Sequence, residues 1–219
     1  MIGQGVLREC LLDPGVSEVV TLGRSATGRR DARLRELVVA DLTDLSAVEG
    51  ELAGFDACFF CLGVASAGMS EEAYARVTYG MPLALARALA PRSPGLTFVY
   101  VSGTGADSTE RSRRMWARVK GRAENALLEM PFKAVYVVRP AFVQPLHGIR
   151  SRTPHYRVLY AVFGPLLPLW RRLFPRWVTT TEEVGRALLA LVRQGSSRRV
   201  LESADLKALS AAPAPGPLP

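Results

Sequence analysis

Cysteine and histidine are scarce: the chain has only Cys10, Cys58 and Cys61, and only His147 and His155. That is too little for a disulfide framework, and nothing among them has zinc spacing, so no metal site is expected and a reducing compartment, by default the cytoplasm, is implied. Cys58 and Cys61 have C-x-x-C spacing. An offset of three on a strand sends the two side chains to opposite faces, which assigns them to core packing rather than redox work. His155 has no partner cluster and is given no role. No basic-then-apolar leader opens the chain. Long hydrophobic runs are missing too, since the uncharged stretch Val158 to Trp170 has 13 residues and two prolines. A spanning helix needs roughly 18 or more. Acidic residues are the scarcer charge, 20 against 28 basic ones, giving +8 and a pI near 9.9. Polyanions and membrane surfaces therefore stay open as partners. Nucleic-acid binding has only that charge behind it and no reading motif, so it is not expected.

What is present is the profile of one globular domain: 219 residues, 48% hydrophobic and 22% charged, enough to bury a core. Ile2, Val6, Leu7, Cys10 and Leu11 recur at helical spacing until Asp13-Pro14-Gly15 stops them. Strands are then read near Glu18 to Leu22, Leu37 to Ala40, Ala57 to Leu62, Leu96 to Ser102, Ala134 to Val138 and Arg199 to Leu201. Helices are read over Asp44 to Leu52, Glu71 to Ala90, Thr109 to Leu128 and Glu182 to Arg193. The apolar run at Ala57 is that of a strand buried on both faces. Strict alternation predicts an α/β fold, a doubly wound parallel sheet with helices on both faces and ligands beyond the carboxyl ends of its strands. The expected organisation is a dinucleotide-binding region over 1–143, a substrate side over 144–207 and a disordered tail over 208–219.

Gly3 and Gly5 stand at the start of the first helix, where a phosphate-binding turn puts glycines so that backbone N–H groups can approach a pyrophosphate. About 20 residues on, a ribose-reading side chain belongs. The chain offers Arg24 and Ser25 rather than an acid, which suits a 2′-phosphate and favours NADP(H) over NAD(H). The alternative for Arg24 is a solvated loop arginine. Asp41 could contact an adenine with its loop, or cap a helix in competition with Asp44.

Several segments resemble one family: Gly23-Arg24-Ser25, Ala40-Asp41-Leu42, Cys58 to Gly63, Val99 to Gly103, Lys120-Gly121 and Arg139 to Pro145. They are similar to the atypical short-chain dehydrogenases of the extended, epimerase-like class, and within it to the Tat-interacting-protein oxidoreductase subgroup. The likeness covers nearly all of residues 1 to 205. It implies a Rossmann fold, of which this chain lacks the first, central strand, and an NAD(P) site with Asp41 and Leu42 near the adenine. It also implies a Leu62-Gly63 loop over the cofactor and a Ser102 that polarises a substrate carbonyl. Lys120 would hold the nicotinamide ribose, and the backbone of Pro140, Phe142 and Val143 would meet the carboxamide.

Two departures from the family pattern carry weight. Four residues before Lys120, on the same helical face, stands Trp116 in place of tyrosine. Indole only donates and does not ionise usefully, so it cannot relay a proton. The remaining candidates are His147, Tyr79, Tyr100 and water ordered by Ser102, with Tyr100 better suited to the core. The second departure is at the start, where the family's first strand and Gly-x-x-Gly turn have no counterpart. A start placed too late, or a truncation, is the expected cause. A slot about 9 to 10 Å wide is expected between the strands at Glu18 and Ala57, with unpaired backbone on both walls and weakened dinucleotide binding.

The functional reading is an NADP(H)-linked oxidoreductase or epimerase-like protein acting on a small carbonyl or hydroxyl compound, with Ser102, Lys120 and His147 as catalytic candidates. The rival is an NADPH-binding regulatory or scaffold protein whose chemistry is lost. Residues 156–177, where aromatic side chains stand beside arginines, are read as a peripheral membrane contact or an apolar lid over the substrate.

Overall fold

Apolar side chains at helical spacing form α1 (Ile2–Leu12), which buries Val6, Leu7 and Cys10. The computed structural model describes residues 1–149 and 177–211. After α1 come β1 (Val19–Gly23), β2 (Leu34–Val38), a 3-10 turn at Ser46–Glu51, and β3 (Ala57–Phe60). A long helical segment follows: α2 (Glu71–Ala75), a π-turn (Arg76–Gly80) and α3 (Met81–Leu89). Then come β4 (Thr97–Val101), α4 (Met115–Leu128), β5 (Ala134–Arg139), β6 (Phe142–Gln144) and β7 (Val178–Thr180). The described chain closes with α5 (Thr181–Gln194), β8 (Val200–Glu202) and α6 (Ser203–Ala211).

All pairings are parallel, in the orders β1-β2, β3-β4-β5-β8 and β6-β7. Helices cover both faces. One apolar cluster joins α3 and α4 to Leu37, Phe60, Phe98, Tyr100 and Val137. The other joins α1, α5 and α6 to Val99, Val101, Tyr136 and Val138. This is a doubly wound α/β architecture, as the alternation predicts. β4 is buried along its whole length, whereas every residue of β1 and three of the four in β3 remain half-buried. Among the described residues, no strand pairs with β1 on the side away from β2, or with β3 on the side away from β4.

Several expected boundaries shift for local reasons. β2 begins at Leu34 rather than Leu37, because Arg35 is held by Glu18 at 3.0 Å and Glu51 at 2.5 Å. The segment expected to be helical from Asp44 is only a 3-10 turn burying Val48. α4 starts at Met115, not Thr109, because the Asp107 carboxylate accepts from Thr109, Arg111 and Ser112 and shapes a loop there. α6 was not foreseen; it buries Leu206 and runs to Ala211, past the expected tail start at 208. Residues 212–219 and the proposed membrane segment up to 176 lie outside the described residues, and Trp177 is exposed. No described helix is long and apolar enough to cross a membrane.

α1 and α5 pack at close range. A Cβ built on Gly5 would stand 2.6 Å from the Thr181 carbonyl, and one on Gly185 would stand 2.5 Å from Glu9 Cγ. At the far end of α1, Arg193 grips both Asp13 oxygens at 2.8 and 2.6 Å, and Arg33 donates to the Asp13 and Val16 carbonyls. The Arg193 hydrogen bonds hold the Asp13 carboxyl below its ordinary range. A depressed folded pKa contributes stability that is complete above the unfolded value, near about 3.9, and lost as pH falls through the folded one. Asp13→Asn is therefore expected to cost about 2 kcal/mol at neutral pH. Denaturant melts of both proteins should converge as the pH falls below the ordinary carboxylate range; a gap independent of pH would contradict the pairing.

Candidate functional site

β4 leads through the loop over 102–114 into α4. Ser102 follows the last strand residue and its amide donates to the Val138 carbonyl at 2.8 Å, which fixes it at the carboxyl end of the sheet. Its hydroxyl donates to Glu124 Oε1. Glu124 has no exposure, and Arg139 at the end of β5 meets it twice, with Nε 3.2 Å from Oε1 and Nη2 on Oε2. Arg139 also donates to Ser108 Oγ at 2.7 Å and faces Glu202 at 3.7 Å. A carboxylate, an arginine and a serine thus close a network at the ends of β4 and β5.

Lys120 lies one turn before Glu124 on the same face of α4. A Cβ built on Gly103 would stand 3.9 Å from Lys120 Nζ, so the ammonium sits over the loop leaving β4. Burial lowers the pKa of Lys120, and the Glu124 charge opposes that shift. Trp116 lies another turn earlier, with its ring edge 3.0 Å from where a Gly105 Cβ would be; Gly105 has φ +89, and a side chain there would be excluded by strain as well as by the indole. Tyr100 is core, as expected. Its hydroxyl donates to the Thr78 carbonyl at 3.0 Å, and burial raises its pKa. Tyr79 lies under the Arg122 guanidinium, 4.4 Å from the ring centre.

The network changes the expected role of Ser102. A hydroxyl has one proton, and here it goes to Glu124, so Ser102 presents acceptor lone pairs rather than a donor to any molecule that approaches. A substrate hydroxyl fits that arrangement; polarisation of a carbonyl would require the Glu124 bond to be released. Sequence reasoning missed Glu124. The available signal was a carboxylate four residues after Lys120 on a face that otherwise turns Ala117, Ala123 and Leu127 inward.

The other candidates are more dispersed. His147 adopts φ 56 and its Nε2 lies 2.7 Å from Glu182 Oε2; Glu182 also meets Arg186, which reaches Glu9. The His147 bond, followed by the Arg186 charge, keeps the Glu182 carboxyl low. This cluster belongs to the α1–α5 pair, and no bond among the described residues joins it to Ser102 or Lys120. Gly3 and Gly5 fall inside α1 rather than in a turn before it: a Cβ on Gly3 would be 3.2 Å from Cys61 Cβ, and Gly5 meets Thr181. Both are explained by close helix packing, one of the uses glycine has in a dinucleotide-binding turn.

Asp41 is engaged by its own turn, accepting from Thr43 N at 2.9 Å, Thr43 Oγ1 at 2.7 Å and Arg76 at 2.5 Å, and the Thr43 bonds lower its pKa. Leu42 packs into the core, so only backbone is left there for a ligand. Arg24, Ser25, Leu62 and Gly63 are exposed at the carboxyl ends of β1 and β3. Pro140 and Val143 are buried and Phe142 is half-buried; the Phe142 amide donates to the Trp177 carbonyl, which draws that backbone into the β6-β7 pair. Cys58 faces the first apolar cluster and Cys61 the second, as the offset of three requires. Among the described residues, no group of His, Cys, Asp and Glu could hold a metal ion.

Strand order reverses between β1 and β3, because β1 leads outward to β2 while β3 leads the other way to β4 and β5. α1 touches both β1 and β3 and so straddles this point, with its first turn uncapped by any side chain. Such a switch point is where doubly wound sheets take ligands.

No protein-family model and no curated protein matches the sequence. Solved structures do resemble it. A short chain dehydrogenase family protein from Francisella tularensis subsp. tularensis SCHU S4 aligns at TM-score 0.64 and 15% identity, covering 92% of this chain and 91% of that one. The Bordetella bronchiseptica enzyme WbmF, solved in complex with NAD+, aligns at 0.63 and 18%, covering 94% of this chain and 73% of its own. The ADP-L-glycero-D-manno-heptose-6-epimerase of Helicobacter pylori aligns at 0.62 and 16%, covering 92% and 73%. At such identities the likeness is one of fold, and the fold is Rossmann-type.

Proposed function

We propose that this Rossmann-type protein binds a nicotinamide dinucleotide, NADP(H) in preference to NAD(H), and performs oxidoreductase or epimerase-like chemistry on a small hydroxyl or carbonyl compound. The observation that carries the reading is Lys120 beside Gly103, with Glu124 and Ser102 one turn away at the ends of β4 and β5. The residues present suit such a cofactor. The uncapped start of α1 offers backbone N–H groups to a pyrophosphate, Arg24 and Ser25 stand exposed for a 2′-phosphate, and Lys120 is placed to hold a ribose. The nicotinamide supplies hydride exchange when bound. The fold neighbours from Francisella and Bordetella, the latter solved with NAD+, support a dinucleotide over other ligands of this fold.

This chain's own contribution is orientation and proton handling. A substrate hydroxyl donates to Ser102 Oγ, which donates to Glu124, and Arg139 pairs with that carboxylate. Trp116 takes no part in proton transfer. Fluorescence titration checks the reading: NADPH should bind more tightly than NADH, and Arg24→Glu should weaken NADPH by about tenfold while sparing NADH. If neither nucleotide binds, the reading fails.

The indole at Trp116 and the commitment of Ser102 to Glu124 favour one second reading, a protein that binds NADPH without turnover and regulates a partner. Ser102→Ala separates the two. Loss of turnover with cofactor affinity unchanged supports the enzyme; a panel of alcohols and carbonyls that neither wild type nor variant converts supports the regulator.

A further inference from the structure

We infer that Lys120 is a covalent capture site for small aldehydes and ketones, its amine condensing with the carbonyl carbon to give a reversible imine. The choice of residue is the first sign. Of the 28 basic residues in the chain only three are lysines: Lys120, Lys133 and Lys207. Arginine is the habit here, and an arginine would serve as well to hold an anion. What lysine adds is a neutral amine, because a guanidinium stays charged at any pH a protein survives, whereas a buried ammonium gives up its proton. Lys133 is exposed and keeps its water, and Lys207 is half-buried with an interaction of its own. Lys120 alone joins desolvation to a free nitrogen.

The surroundings favour the neutral form. Lys120 is half-buried on α4, and its Nζ makes no hydrogen bond or ion pair among the described residues. The carboxylate one turn on is already engaged: Glu124 Oε1 accepts from Ser102 and from Arg139 Nε, and Oε2 accepts from Arg139 Nη2. An ammonium there has lost water without gaining a partner. Burial accordingly pushes its pKa down, and only the charge of Glu124 opposes this. Gly103 supplies the room, since a Cβ built on it would stand 3.9 Å from both Cε and Nζ, so a glycine leaves open the side of the amine that any other residue would crowd. In the capture step the Nζ lone pair forms a bond to the carbonyl carbon while the C–O π pair moves onto oxygen. Both amine hydrogens then leave with that oxygen as water, and the C=N bond remains. No oxidant or reductant is consumed, and water reverses the step.

The inference deepens the proposed function at the same site and rests on it for the class of ligand. It adds a consequence: a captured carbonyl occupies the amine that holds the ribose, so capture and dinucleotide binding exclude each other. The test uses the whole protein, butanal as the probe, and cyanoborohydride, which delivers hydride to the imine carbon and fixes the adduct as a secondary amine. At neutral pH, peptide mapping should show Lys120 alkylated about tenfold or more faster than Lys133 and Lys207. Unfolding the protein first should erase the difference. Lys120 modified no faster than Lys133 overturns the inference, and so does a preference that survives unfolding, because it would belong to the local sequence and not to the folded site. NADPH added ahead of butanal separates this claim from the nucleotide reading. Slower trapping at Lys120 supports both; fast trapping that NADPH leaves unchanged upholds the capture site, overturns the mutual exclusion and removes Lys120 from ribose binding.

Discussion

Glu124→Ala is expected to lower the melting temperature by roughly 6–20 °C, the equivalent of about 3–5 kcal/mol. The carboxylate has no exposure and meets Ser102 and, through both its oxygens, Nε and Nη2 of Arg139, whose side chain is itself only 14% exposed. Its removal leaves a half-buried cation with Glu202 at 3.7 Å and Ser108 as its remaining partners. The large loss comes from stranding one charge rather than from the pair's own strength. The double change Glu124→Leu with Arg139→Met should therefore be far milder than Glu124→Ala alone, because it removes both charges and keeps the volume. Thermal melts of the two proteins decide the matter. A double variant as unstable as the single one would show that the site depends on shape rather than on charge.

Gly121→Ala should be at least as damaging. A Cβ at that position would lie 1.7 Å from the Asp107 carbonyl oxygen and 2.3 Å from its carbon, and no rotamer can relieve a backbone clash. Neither partner can yield readily. The Asp107 amide donates to the Ala117 carbonyl, Asn125 donates to the neighbouring Ser108 carbonyl at 2.9 Å and Arg118 donates to the Ser112 carbonyl at 2.8 Å, so the 107–112 loop is tied to α4 at both ends. Alanine is the better helix former, and in a free helix the change would stabilise by roughly 1 kcal/mol. Here overpacking reverses the sign, with an expected loss of about 3 kcal/mol or more. Denaturant unfolding should show a lower midpoint at an unchanged slope. A stabilised variant would mean that the loop is not seated on α4.

The architecture was legible because periodicity reports burial: the uninterrupted apolar runs at Ala57 and Leu96 could only be strands covered on both faces, and the parallel sheet follows. α6 escaped because its apolar side is narrow, with Leu206 the one fully buried leucine. The late start of α4 escaped because the competing order comes from one carboxylate, Asp107, gathering amides on its own side of the helix. In the site, Ser102 and Lys120 were readable by position, whereas the role of Ser102 depends on where its single proton goes, a matter decided by Glu124 across 22 residues of sequence. The glycines near the start lie within α1, where Gly3 approaches Cys61 and Gly5 approaches Thr181, contacts that spacing along the chain does not report, because a short residue is needed equally where a phosphate or another part of the fold approaches.

The π-turn at Arg76–Gly80 holds one residue more than an α-turn would, and each added residue advances the helical phase by about 100°. The two halves of this helix consequently aim their working sides along different azimuths. The leading half directs Glu71 to the Arg118 guanidinium, while the trailing half rotates Leu83, Ala86 and Leu89 onto the sheet. A wheel drawn with one continuous phase would misplace one of the two sides. Within the wide turn, the Thr78 carbonyl is turned toward Tyr100 and receives the phenol that the core would otherwise strand. One irregularity thus serves as a rotational coupling between a polar contact outside and an aromatic one inside.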